Sequence, residues 1–178
     1  MSVGIEKKIS SEVCFPGKMI TVTYDVAQLE NGREAWREVV HHPGASAVIL
    51  QKKDGTIVME YQYRYALAEI LLEIPAGKLD QGEDPLICAK RELQEETGYV
   101  AEHWTALGSI ATSPGFCNEI IHIYFATDES KGENHLDDDE FVDLVYYTKE
   151  ELLTMIRDGR LKDAKSISAL MMAMPYLK

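Results

Sequence analysis

The sequence predicts a mixed α/β fold, with a mixed sheet held between helices and a small antiparallel β unit in front of it. Runs rich in β-branched and aromatic residues recur along the chain, and Asn31-Gly32 and Asp54-Gly55 fall between such runs as hairpin signals. One helical segment stands in the middle of the strands and two more close the chain. The 178 residues, 46% of them apolar, suffice for one domain with a real core and a small appendage.

Taken in order, residues 1–42 read as the β unit. Met19 to Val26 is a strand, Glu30-Asn31-Gly32-Arg33 turns it, and Ala35 to Val40 returns. Trp36 stands among charged residues, where a plain core role is not obvious. His41-His42-Pro43-Gly44 breaks the pattern, so the main domain is 43–178. Adjacent histidines on a strand face opposite sides, which argues against a metal pair. Ala45 to Lys52 is a mostly buried strand, Asp54-Gly55 turns it, and Thr56 to Tyr63 returns, with Arg64 at its end. Leu71 to Gly77 is a short strand that Pro75 confines to an edge or an end. Glu73 interrupts that apolar run, which is costly unless the carboxylate is paired or partly solvated.

Val100 to Ile110 is another strand, Ser113-Pro114-Gly115-Phe116 a turn, and Ile120 to Ala126 a strong strand. Asp128 to Asp139 is a polar, acidic loop, and Phe141 to Tyr147 the last strand. Lys149 to Arg157 is a helix stopped at Asp158-Gly159, and Asp163 to Met174 a second one stopped by Pro175. The methionines of that last helix recur at helical spacing and read as core.

The stretch from Gly77 to Tyr99 carries the chemistry. Asp84 suits an N-cap and Pro85 the first helical turn; Leu86, Ala89 and Leu93 form an apolar stripe; Gly98 stops the helix. Glu92, Glu95 and Glu96 then share one face, late in the helix. Like charges at these spacings repel, and the helix dipole disfavours anions there. Two readings stand on these glutamates alone: a solvated acidic face, or a site for a hard divalent cation. Mg²⁺ takes oxygen ligands and is commonly held by a few carboxylates together with substrate phosphates.

Composition narrows the partners. A net charge of −12 disfavours binding to nucleic-acid backbone. No apolar run is long enough to span a bilayer, and the N-terminus lacks a signal core, so a soluble cytoplasmic protein is expected. Cys14, Cys88 and Cys117 are scattered and show neither a disulfide framework nor zinc spacing.

Gly77, Glu83, Arg91, Glu92, Leu93, Glu95, Glu96 and Gly98 reproduce, with spacing intact, the signature box of the Nudix hydrolases. Tyr99 departs from it, at a position where the family more often has an aliphatic residue. The chain therefore resembles that family, and the resemblance implies a Nudix-type α/β/α sandwich. Arg37 to Ala45, Gln62-Tyr63-Arg64, Leu72 to Gly77, Ser113-Pro114-Gly115 with Glu119, and Asp139-Glu140-Phe141-Val142 further resemble the ADP-ribose pyrophosphatases. Pro114, about fifteen residues beyond the box, is a mark of that group.

The resemblance implies roles. Glu92, Glu96 and the Ala76 carbonyl hold metal, with Glu95 ligating or assisting catalysis. Arg91 keeps the box in shape. Glu140 acts on the attacking water. Arg64 grips a phosphate; Glu73 and Glu119 contact the nucleotide or terminal ribose, and Ser113 and Gly115 bind substrate. Trp36 stacks on adenine from the partner subunit of a homodimer, through an exchanged N-terminal unit. The implied reaction is hydrolysis of ADP-ribose to AMP and ribose 5-phosphate with Mg²⁺, Mn²⁺ being the other candidate ion. Other nucleoside diphosphate sugars, dinucleoside polyphosphates and oxidised nucleotides are alternative substrates. A non-catalytic ADP-ribose-binding module is the remaining reading.

Overall fold

The computed structural model describes residues 4–133 and 141–178. The acidic residues Asp137, Asp138, Asp139 and Glu140 lie outside the described residues. The chain divides into two compact units: Met1–Gly44 with Ala111–Glu119, and Ala45–Ile110 with Ile120–Lys178.

The first unit is a three-stranded antiparallel sheet in the order β1 (Lys7–Pro16), β2 (Thr21–Gln28), β3 (Glu34–His41). The Asn31 side chain accepts from the Arg33 amide at 3.0 Å and closes the expected hairpin. Strand β1 was not legible beforehand. All ten of its residues are exposed, so no apolar alternation marks it. The segment 111–119 joins this unit through Val40, whose N–H donates to the Phe116 carbonyl at 2.7 Å and whose carbonyl accepts from Asn118 at 3.1 Å.

The second unit holds β4 (Ala45–Leu50), β5 (Ile57–Arg64), β6 (Glu69–Glu73), β7 (Ala76–Lys78), α1 (Pro85–Thr97), β8 (Tyr99–Ala111), β9 (Ile120–Lys131), β10 (Val142–Tyr147), α2 (Lys149–Asp158) and α3 (Ala164–Ala173). Its strands form two sheets, β7-β4-β9-β8 and β10-β5-β6. The first is mixed: β4 runs parallel to β9 and antiparallel to β7.

Three expectations are corrected here. The Asp54-Gly55 turn exists, but the strands on either side share only the bridge Gln51–Ile57 and enter different sheets. A strand has two edges, and both edges of β4 are taken, by β7 and β9. Leu71 to Gly77 is two strands, broken at Ile74-Pro75 because proline has no ladder donor. Strand β9 also continues to Lys131, past the loop start expected at Asp128.

All six residues of β4 are buried, because helices cover both of its faces. Ala45, Ala47 and Ile49 pack in a core shared with Leu152, Met155, Ala169 and Leu170 of the C-terminal helices. Val48 and Leu50 pack with Ala89 and Leu93 of α1. This wedges α1 against the sheet edge that carries β7.

Candidate active site

Helix α1 forms for local reasons. The Asp84 carboxylate accepts from the amides of Leu86 (2.9 Å) and Ile87 (3.3 Å), and Pro85 needs no partner at this position. Gly98 ends the helix at φ 71°, a conformation that side chains disfavour. Ala89 and Leu93 are fully buried, as the apolar stripe requires.

The stripe turns the glutamates inward. Glu92 is 8% exposed and Glu96 2%, so they are not a solvated face. Glu95, at the rim, is half-buried. Glu96 Oε2 accepts from the Ala76 amide at 2.9 Å, which joins the helix to β7. Glu92 packs where Gly77 has no side chain: a Cβ there would fall on its carboxylate. The register pairs Ala76 with Ala47 and Gly77 with Ser46.

Arg91 offsets the resulting repulsion. Its Nη1 donates to Glu92 Oε1 (2.8 Å) and Glu95 Oε2 (2.9 Å), and its Nε and Nη2 fork onto Glu83 at 3.0 and 2.9 Å. That fork, with the Asp80 amide, holds the Glu83 carboxyl down at about 2. Burial pushes the neighbouring Cys88 thiol up to about 12, which keeps it a protonated packing residue.

Glu83 thus predicts a pH dependence. Its carboxyl moves from 4.5 to about 2 on folding. A carboxyl lowered on folding contributes stability that is complete above its unfolded value and is lost as pH falls through the folded one. The window therefore runs from pH 4.5 down to about 2. In metal-free protein, Glu83→Gln is expected to lower Tm at neutral pH by a few degrees and to flatten the stability curve across that window. Circular dichroism melts measure both, and a slope equal to wild type would refute the pairing.

Hard oxygen donors share this face of α1 beside β7: two buried carboxylates, Glu92 and Glu96, and one at the rim, Glu95. This donor set fits Mg²⁺ or Mn²⁺ in chemistry. No group of three or more acidic, histidine or cysteine side chains stands ready to hold an ion by itself among the described residues. Any ion bound here would draw ligands from backbone, water or substrate as well.

Beyond α1, the second unit places Arg64 on Glu73. The guanidinium forks onto the carboxylate, Nε to Oε1 at 2.7 Å and Nη2 to Oε2 at 2.6 Å. Glu73 is 1% exposed, and the pairing its burial demands comes from Arg64 and from Lys165. Lys165 escaped the sequence reading; its only signal is a charge two residues after the Asp163 cap of an otherwise uncharged helix. Burial, then the Arg64 charge, push the Lys165 ammonium down to about 7, with Glu60 offsetting part of this. The ion pairs with Glu73 and Asp163 act the other way, so its charge depends on them.

In the first unit, Trp36 is exposed and stacks on Tyr24, with centroids 4.8 Å apart and planes inclined by 13°. Glu119 Oε2 accepts from the Thr112 hydroxyl at 2.7 Å, and its Oε1 lies 3.3 Å from His42 Nδ1. Ser113 accepts from Phe116 and Cys117 amides through its carbonyl, closing the turn that contains Gly115.

Two buried carboxylates on one helix, braced by an arginine and tied to a short strand, define an α/β domain built around a carboxylate-bearing helix. Residues 40–170 match the NUDIX domain, and the chain belongs to the Nudix family. It is 49% identical over 166 residues to the methanol dehydrogenase activator of Bacillus methanolicus, spanning 92% of this chain and 90% of that one. It is 42% identical over 167 residues to the ADP-ribose pyrophosphatase of Bacillus subtilis strain 168, spanning 93% and 90%. The crystal structure of an ADP compounds hydrolase shares the fold, with a TM-score of 0.86 at 22% identity over 99% of this chain and 96% of that one.

Proposed function

We propose that this chain is a divalent-metal-dependent hydrolase that cleaves ADP-ribose to AMP and ribose 5-phosphate. The burial of Glu92 and Glu96 against β7 is the observation that carries the reading, in a chain 42% identical over nearly its whole length to an ADP-ribose pyrophosphatase. The Ala76 carbonyl, Glu92 and Glu96 would hold the ion, with Glu95 at the rim ligating or assisting. When bound, Mg²⁺ or Mn²⁺ neutralises charge on the non-bridging phosphate oxygens and acidifies a water.

The chain's own groups do the rest. Arg64 grips a phosphate through charge-assisted bonds. Glu140 acts on the attacking water, as its base or by orienting it. Glu119, Ser113 and Gly115 contact the nucleotide or ribose, and Glu73 acts beside Arg64. Trp36 offers a flat apolar face to adenine. The protein works in the cytoplasm as a homodimer, with residues 1–42 exchanged so that each Trp36 serves the partner's site.

Incubation with ADP-ribose and Mg²⁺, followed by chromatography, is expected to yield equal AMP and ribose 5-phosphate. Chelation should stop the reaction, and re-addition of Mg²⁺ or Mn²⁺ should restore it. If no AMP forms with either ion, the reading fails. Parallel rates on other nucleoside diphosphate sugars, dinucleoside polyphosphates and oxidised nucleotides rank the alternatives.

The 49% identity to a methanol dehydrogenase activator favours a second reading, in which this chain raises the activity of such a dehydrogenase. Its addition to a methanol dehydrogenase assay tests this. An unchanged rate of methanol oxidation would rule it out.

A further inference from the structure

A second dense cluster of charge lies where β5 and β6 meet the first turn of α3. Glu73 stands opposite Glu60 in the β5–β6 ladder, and both are 1% exposed. The Arg64 fork takes both oxygens of Glu73. Lys165 reaches Glu73 Oε2 from α3, and its Nζ lies 3.1 Å from Asp163 Oδ2. A second tie runs beside the first. The Ser166 hydroxyl accepts from the Ile74 amide at 2.9 Å and donates to Asp163 Oδ2 at 2.6 Å. The first turn of α3 therefore grips two consecutive residues, Glu73 and Ile74, just before Pro75 and Ala76.

Stability alone does not explain this arrangement. Well-packed apolar side chains often serve as well as a buried ion pair. What charge adds is placement. The Arg64 side chain is 39% exposed, and its fork uses Nε and Nη2, not Nη1. A long side chain held in advance loses less freedom when it meets an anion. A carboxylate paired with Arg64 alone could shift with the guanidinium. Glu73 cannot shift in this way, because Lys165 occupies one of its oxygens from a separate helix.

We propose that Lys165 is a positioning residue for substrate binding: it fixes Glu73, and Glu73 in turn sets the guanidinium of Arg64. This rests on the reading of Arg64 as the phosphate grip. Among the described residues Lys165 pairs with Glu73 and Asp163, neither of which is proposed to hold the metal, so its loss should appear in KM and not in kcat.

The test uses the full chain and two readouts. Lys165→Met is expected to raise KM for ADP-ribose about tenfold, with kcat within about threefold of wild type. In an Arg64→Ala background the same substitution should change KM less than about twofold, because the residue it acts through is gone. Lys165→Arg, which keeps the charge, should recover most of the loss. Independently of any substrate, hydrogen exchange at the Arg64 Nε–H, followed by NMR, should quicken at least about tenfold in Lys165→Met, as for an opened hydrogen bond.

Equal KM effects in both backgrounds, or unchanged Nε–H exchange, would overturn the proposal. If the wild type fails to hydrolyse ADP-ribose, the proposed function falls and the exchange readout alone decides on the clamp. Should Lys165→Met not fold, Lys165→Gln carries the same measurements, with the same outcomes deciding.

Discussion

Glu96→Gln is expected to fold as the wild type does and to lose about 10³-fold in kcat. The residue is 2% exposed and one helical turn from Glu92, so α1 carries two buried like charges on one face. Such charges weaken a helix by a few tenths of a kcal/mol per exposed pair, and by more where water is excluded. Glutamine removes one charge, and its carbonyl can still accept from the Ala76 amide that Glu96 holds at 2.9 Å. Stability without metal should therefore stay within about 1 kcal/mol of wild type, a Tm shift of about 2–4 °C for a chain of this size. The proposed metal-dependent turnover has no such substitute. A hard cation favours a carboxylate over an amide, and lost metal assistance is worth several kcal/mol, about tenfold in rate for each 1.36 kcal/mol. Steady-state kinetics with calorimetric melts reads both quantities. A kcat within tenfold of wild type would remove Glu96 from the proposed metal site.

The legible and illegible parts of this chain differ in the range of the interactions behind them. Helix α1 could be read with its cap and its stop because Asp84, Pro85 and Gly98 act within a turn of themselves. The glutamates of α1 could be placed on one face because helical spacing is local too. Their burial could not be read from charge pattern alone; it follows from Ala89 and Leu93 packing on Val48 and Leu50 of β4. The parting of β4 and β5 into two sheets was hidden for a similar reason. The Asp54-Gly55 turn states only that the chain reverses, whereas the partners of β4 lie in β7 and β9. Burial of Glu73 implied a partner without identifying it: Arg64 was near in sequence, but Lys165 is 92 residues away. Strand β1 was missed because every one of its residues is exposed, and period-2 alternation exists only where one face is buried.

Gly77→Ala is expected to cost about 10²-fold in kcat/KM while leaving the fold intact. The added methyl would fall on the Glu92 carboxylate, both of whose oxygens crowd the same space. The obstructed atoms are the far end of a flexible side chain, so Glu92 can swing aside without moving the backbone of β7. The cost to stability is then small, but the carboxylate leaves its place beside Arg91, and a misplacement of about 1 Å at a reacting centre can cost about 10²-fold. Gly82→Ala supplies the contrast. Gly82 has φ +79° and nothing within 4 Å of an added Cβ, so there the penalty is backbone strain without a clash. That variant should lose about 1 kcal/mol of stability and keep its turnover. The two substitutions make the same chemical change five positions apart in the chain and should fail in opposite ways. Tm and kcat/KM measured on both decide the matter. If Gly77→Ala unfolds or stays fully active, the close packing of Glu92 on β7 is not what places its carboxylate for the proposed metal site.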